Sequence, residues 1–256
     1  MNSHTLTTLL ALLVSTTILS AQNPTPAFHD MSNMHDMSKM NGTDDDNADA
    51  TLDSMQRHQM DMGPHMRMST LRNPSPGDAK RAAQVAERAR VVAQKYADYH
   101  TALADGFKIF HPEVPQKQYH FTNYAYAFEA AFSFDPDHPT SLLYEKHGDS
   151  YKLIGVMYTA PKRMAEQDLN ARIPLSVAQW HQHINFCAPP QGRGSEMLGS
   201  NPKFGLHGSI TTEEACEAAG GTFKPVIFGW MVHVYPLEQK PDAVWDVQRQ
   251  HDHQHD

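Results

Sequence analysis

Positive charge is scarce in this chain, which carries 21 Lys and Arg against 29 Asp and Glu and has a formal net charge of −8. Nucleic acids and anionic membranes bind clustered positive charge, so the balance argues against either as a partner. Cysteine is also scarce, with two residues in 256. The sequence lacks a G-x-S-x-G elbow, a P-loop and a G-x-G-x-x-G turn. Hydrolase, NTPase and dinucleotide-binding functions therefore have no support.

Long apolar runs are missing except at the start, where uncharged residues extend from Leu6 to Leu19 and Ser20-Ala21 follows as a small-residue cleavage site. This run is shorter than the roughly 20 residues of a membrane-spanning helix. We interpret residues 1–21 as a secretory signal peptide and expect no integral membrane span in the mature chain. The predicted location is periplasmic or secreted.

Aliphatic and aromatic side chains are almost absent from residues 22–73, so this arm cannot bury a core and is predicted to be disordered. Nine of the 14 methionines nevertheless fall between Met31 and Met68. Thioether sulfur suits Cu(I), and imidazole accepts either oxidation state of copper. The candidate ligands of the arm are Met31, Met34, His35, Met37, Met40, His58, Met60, Met62, His65, Met66 and Met68.

The two stretches HDMSNMHDMSKMNG and MQRHQMDMGPHMRM resemble the Met/His-rich segments of periplasmic copper-resistance proteins, with their repeated Met-Asp-His-Ser-type units. The resemblance is one of composition and rhythm over about 40 residues and does not extend to the fold beyond Arg72. It implies that the arm binds copper. The alternative is a solvated linker whose methionines are incidental or scavenge oxidants.

A single apolar stripe opens the folded region, which we place at residues 74–240. Ser75 is suited to cap a helix, Pro76 to its first turn and Gly106 to its C-terminal stop. Between them, apolar residues recur at alternating spacings of three and four, at Ala82, Val85, Ala89, Val92, Tyr96, Tyr99 and Leu103. The pattern predicts one amphipathic helix of about 30 residues.

Alternating patterns after this helix predict an antiparallel sheet. Residues 126–134 alternate like a strand, although YAFEAAF also suits a short helix, and residues 141–161 predict two strands joined at Gly148-Asp149-Ser150. The predicted fold class is a single α+β domain in which an antiparallel sheet packs against the long N-terminal helix. A His-rich polar tail follows at residues 241–256.

Two strand-like segments, SVAQWHQHINFC and PVIFGWMVHVYP, carry the candidate chemistry. Side chains alternate along a strand, so His181 and His183 share a face, and His233 supplies a third nitrogen if the strands are neighbours. Three histidines with an open position are typical of a catalytic or exchangeable metal site. The candidate fourth ligands are Glu129, which we favour, His120, His207 and Met231. The alternative is that these histidines are only hydrogen-bonded or packed.

Cys187 and Cys216 are predicted to form a disulfide, as an even pair usually does in an exported protein. The alternative is a Cys187 thiolate that binds metal beside His181 and His183.

The leading interpretation is an exported metal-binding protein that captures or buffers copper through its arm and through the three histidines, with zinc or another transition metal possible in the folded site. The alternatives are a metalloenzyme that uses the His181, His183 and His233 centre, and a structural or binding domain without metal. Metal ions are the expected partners, and nothing in the sequence identifies a protein partner.

Overall fold

The structure is a computed structural model, which describes residues 63–246 and residue 249. The predicted signal peptide, most of the arm and most of the His-rich tail lie outside the described residues. Of the arm's candidate ligands, Met31, Met34, His35, Met37, Met40, His58, Met60 and Met62 lie outside them, and His65, Met66 and Met68 lie within them. In the described part, no helix is both long enough and apolar enough to cross a membrane.

The prediction of one helix of about 30 residues is wrong, because the chain forms two helices there, α1 at Asp78–Lys95 and α2 at Tyr99–Ala104. The side chain of Asp98 accepts a hydrogen bond from the backbone N–H of His100 and so starts a new helix. Ser75 does not cap α1, whose N-cap is Gly77 in a left-handed conformation. The cap at Asp98 therefore divides the apolar stripe between two helices.

Strands dominate the domain, so the predicted α+β class built on a long N-terminal helix is also wrong. The strands are β1 (Met66–Met68), β2 (Lys108–Ile109), β3 (Tyr119–Thr122), β4 (Ser141–His147), β5 (Ser150–Ala160), β6 (His181–Ala188), β7 (Thr222–Val226) and β8 (Trp230–Val234). Their order is β1-β6-β8-β5-β4-β3-β2, with β7 paired to β6, and every described pair is antiparallel.

The other helices are short: α3 (Tyr124–Glu129), α4 (Glu166–Arg172), α5 (Glu213–Ala218) and α6 (Pro241–Val244), with a 3-10 turn at Gly194–Met197. The strand expected at residues 126–134 is replaced by α3, the helical alternative. Its N-cap is Asn123, whose side-chain oxygen accepts from the backbone N–H groups of Ala125 and Tyr126. The hairpin expected at residues 148–150 is confirmed, with Gly148 at φ +60° in the turn between β4 and β5.

One face of the sheet carries the main hydrophobic core, and we call it the helix-covered face. Its cluster joins Ala89 and Val92 of α1 to strand residues such as Val156, Tyr158 and Val232. The hydroxyl of Tyr144 also donates to the backbone carbonyl of Tyr96, 2.7 Å away. Burying this apolar surface is the main stabilising contribution to the domain.

The opposite face of the sheet carries a smaller apolar cluster of Leu143, Met157, Met231 and Tyr235. Because cross-strand partners project to the same side of a sheet, His181 lies on this face with its partner Met231. His233 lies there with its partner Met157. We call this side the histidine face.

The predicted disulfide between Cys187 and Cys216 is confirmed, and it joins the end of β6 to α5. Both cysteines are fully buried beside Phe204 and Ile210 in a separate small cluster. The disulfide leaves no thiolate at Cys187, so the alternative of a cysteine metal ligand is wrong. A disulfide of this kind indicates an oxidising compartment outside the cytoplasm.

Candidate metal centre

Four histidines from three strands meet on the histidine face, and we call them the histidine cluster: His120, His181, His183 and His233. His181 and His183 lie two residues apart on β6, as the alternation predicted. Strand β8 pairs with β6 at Met231 and His181, which places His233 beside them. His120 lies on β3, where it pairs with Leu143.

The imidazole rings of the cluster are close neighbours. The ring centroid of His181 lies 5.2 Å from that of His233 and 5.6 Å from that of His183. The ring of His120 lies 5.6 Å from the ring of His233. Two imidazoles that bind one ion through metal–nitrogen bonds of about 2 Å have ring centroids about 5 Å apart. Each of these three ring pairs is therefore close to the spacing of two imidazoles on one ion.

Curvature of the sheet brings His120 into the cluster. Strands β4 and β5 lie between β3 and β8, so β3 and β8 would be about 14 Å apart in a flat sheet. A ring separation of 5.6 Å requires the sheet to curl, with the histidine face on its concave side. The contact between Phe110, which follows β2, and Phe228, which precedes β8, has the same cause.

Burial keeps two members of the cluster, His120 and His183, uncharged at neutral pH. Desolvation lowers the pKa of His120 to about 4. Desolvation, followed by the nearby charges of His181, His120, His207 and His65, lowers the pKa of His183 to about 3. A neutral imidazole keeps a nitrogen lone pair, which is the form that binds metal ions.

Two further histidines border the cluster, as their electrostatic effect on His183 shows. His65 is buried, and its Nε2 lies 2.6 Å from the backbone carbonyl oxygen of Gly208, next to His207. The Nδ1 atoms of His65 and His183 are buried without a hydrogen-bond partner among the described residues. An unsatisfied buried nitrogen costs about 1–3 kcal/mol, and a bound ion would offset that cost.

Glu129, the fourth ligand that we favoured from the sequence, lies in a different group. Its Oε2 is 2.9 Å from Nδ1 of His138, and Oδ2 of Asp135 is 3.6 Å from the same nitrogen. These three residues place candidate ligand atoms within 4.8 Å of one another, beside a small pocket lined by Tyr158 and Thr159. Each side chain is more than one-third exposed, so hydrogen bonding and charge explain the group without an ion.

The other candidates for a fourth ligand lie near the predicted histidines. His120 contacts His233, His207 affects the pKa of His183, and Met231 is the cross-strand partner of His181. Asn185, two residues after His183, has φ +54°, and its side-chain amide donates to the carbonyl oxygen of Pro64. A residue in the left-handed region interrupts the simple alternation along β6.

The position of His65 beside the histidine cluster was not predicted, because we assigned this residue to the disordered arm. Residues 66–68 of that arm instead form β1, which pairs with β6. The signal is present in the sequence PHMRMST, where Met66 and Met68 alternate with polar Arg67. Three residues are too few to distinguish a strand from a linker by periodicity.

Comparisons with protein-family models, with curated proteins and with solved structures find no match. The geometry of the histidine face and the composition of the arm are therefore the features that indicate a function.

Proposed function

We propose that this protein captures copper in a periplasmic or secreted location, using the histidine cluster as its structured binding centre. The observation that carries the proposal is the position of the His181 ring, 5.2 Å from the ring of His233 and 5.6 Å from that of His183. Imidazoles at this spacing can supply nitrogen ligands to one transition-metal ion. The Cys187–Cys216 disulfide and the apolar N-terminal run support the proposed location.

The arm supplies the second part of this function. Its repeated thioether and imidazole groups offer many weak and exchangeable ligands for copper. In this proposal the arm recruits ions, and the histidine cluster holds one of them more tightly because its ligands are already gathered on a folded sheet.

The test is a copper titration of the full mature chain, purified without a His tag and with a competing chelator in solution. We compare a His181→Asn/His183→Asn variant with a His100→Asn/His147→Asn control. Both control histidines lie outside the cluster, with side chains 69% and 61% exposed. We expect the cluster variant to lose about one equivalent of tightly bound copper and the control to lose none.

Equal copper uptake by the two variants would contradict the proposal. Because His181 is almost fully buried, a single His183→Asn variant is measured in parallel, since His183 is only partly buried. Circular dichroism and the urea midpoint of each variant establish that any loss of copper occurs in a folded protein.

A further inference from the structure

The histidine face also carries a set of methionines, which we call the methionine layer: Met66, Met68, Met157 and Met231. The register of the sheet places each of them opposite a histidine. Across β1 and β6, Met66 pairs with His183 and Met68 pairs with His181. On the other side of β6, His181 pairs with Met231, and across β5 and β8, Met157 pairs with His233.

From this register we propose that the centre binds Cu(I) through thioether sulfur atoms of the methionine layer together with imidazole nitrogens of the histidine cluster. The inference rests on the proposed copper function and specifies its ligands and oxidation state. Directly opposite residues have Cβ atoms about 4.5–5.5 Å apart. A methionine side chain has three rotatable bonds and can bring its sulfur to an ion held by the facing imidazole.

The chemistry of the surroundings favours a singly charged ion. The ring contacts and cross-strand partners of His181, His183 and His233 are imidazole, thioether and aromatic groups. Soft sulfur ligands favour Cu(I) over harder divalent ions.

Hydrophobic packing alone does not explain where these methionines lie. The other methionines of the described residues are Met164, which packs against the helix-covered core, and Met197, in the 3-10 turn. Leu143 occupies the same face as Met157 and Met231, so an aliphatic side chain also fits there. Methionine occupies the four positions opposite His181, His183 and His233, whereas Leu143 lies opposite His120.

Two residues of the methionine layer, Met66 and Met68, also belong to the arm. Met66 and Met68 are the last two methionines of the Met/His-rich arm, and they form the edge strand beside β6. An ion that leaves the arm therefore meets a centre whose ligands include the end of the arm itself.

The first test uses Ag(I), a Cu(I) analogue that air does not oxidise, added to the full mature chain labelled with ¹³C in its methionine methyl groups. Single Met→Leu variants assign the resonances. We expect the first tightly bound equivalent to shift the methyl signals of Met157 and Met231 and to leave that of Met164 in place. Shifts confined to methionines before residue 63, with Met157 and Met231 unmoved, would overturn the proposal.

The second test compares Cu(I) and Zn(II) affinities of a Met157→Leu/Met231→Leu variant with those of a Met164→Leu control. Leucine keeps the side-chain volume, so the fold is expected to survive. We expect the double variant to bind Cu(I) about 10–100-fold more weakly, with no change in Zn(II) affinity, and the control to match the wild type.

The outcomes separate this inference from the function on which it depends. Unchanged Cu(I) affinity in the double variant, together with copper loss in the His181→Asn/His183→Asn variant, would overturn the thioether ligands and leave copper capture standing. Equal copper uptake in all variants, with Met157 and Met231 unmoved by Ag(I), would overturn both.

Discussion

Met157 on β5 and His233 on β8 are direct cross-strand partners on the concave face of the sheet. Their pairing depends on Gly155, two residues before Met157. A Cβ atom at residue 155 would lie 2.7 Å from the carbonyl oxygen of Val234 and 2.9 Å from Cδ1 of Tyr235. The two strands approach this closely because residue 155 has no side chain.

Replacing Gly155 by alanine should therefore both weaken the fold and disturb the proposed centre. We expect Gly155→Ala to lower the free energy of unfolding by about 1–3 kcal/mol, since β8 must move away from β5 to relieve the overlap. Urea unfolding followed by tryptophan fluorescence measures this change. Gly194→Ala is the matched control, because a Cβ atom there has no neighbour within 4 Å. Equal midpoints for the two variants would contradict this account of the β5–β8 contact.

Sequence alternation predicted the part of the histidine cluster that lies within single strands. His181 and His183 share a face because their spacing is the period of a strand, and His233 faces them because β6 and β8 are neighbours. His120 was only one of several candidates, because its contact with His233 depends on the curvature of the whole sheet. Curvature arises from strand twist, bulges and small residues such as Gly155, and no local pattern encodes it.

The predictions that were wrong also have local causes. The apolar stripe from Ala82 to Leu103 continued past the point where Asp98 starts a second helix. Glu129 was a candidate fourth ligand on a strand presumed at residues 126–134, and residues 124–129 are helical. Strand β1 is defined by its partner β6 and has little local signal.

The second prediction concerns β1, which lies at the end of the arm and contributes to the stability of the domain. Deleting residues 22–62 should leave the unfolding midpoint unchanged, because β1 remains. Deleting residues 22–73 should lower the free energy of unfolding by about 3–5 kcal/mol, since buried Met66 and several hydrogen bonds are lost. These include Gln179 Nε2 to the carbonyl of Ser69, at 2.8 Å, and the amide of Trp180 to Oγ of Ser69, at 3.0 Å. Urea midpoints that match for the two deletions would show that β1 adds nothing to stability.

The disulfide makes a third prediction. Cys187 and Cys216 are 29 residues apart, and closing a loop of this length stabilises a fold by about 3–4 kcal/mol. A Cys187→Ser/Cys216→Ser variant should therefore unfold about 10 °C below the wild type in calorimetry. Addition of a reductant should lower the midpoint of the wild type and leave that of the variant unchanged. A midpoint that falls equally in both would indicate that the reductant acts on something other than this disulfide.

The buried carboxylate of Asp78 at the start of α1 makes the last prediction, a dependence of stability on pH. Its Oδ2 accepts hydrogen bonds from the hydroxyl of Ser176, at 2.6 Å, and from the backbone N–H of Ser75, at 3.0 Å. The Ser176 bond, followed by the Ser75 bond, lowers the pKa of Asp78 below its ordinary value. The Ser176 bond joins the helix to the loop before β6.

Because the pKa is lower in the folded state, the unfolded state binds the proton more readily, and the contribution of Asp78 is complete above its ordinary pKa of about 3.9. It disappears as the pH falls through the lower, folded-state pKa. We expect Asp78→Asn to lower the free energy of unfolding by about 1.5–3 kcal/mol at pH 6. This difference should shrink as the pH falls below about 4. Urea unfolding between pH 6 and pH 3 measures it. Asp149→Asn is the control, because residue 149 lies in the exposed turn between β4 and β5. This variant should change the free energy of unfolding little. If the difference in free energy of unfolding between the wild type and Asp78→Asn stayed constant down to pH 3, the charge of Asp78 would not strengthen these hydrogen bonds.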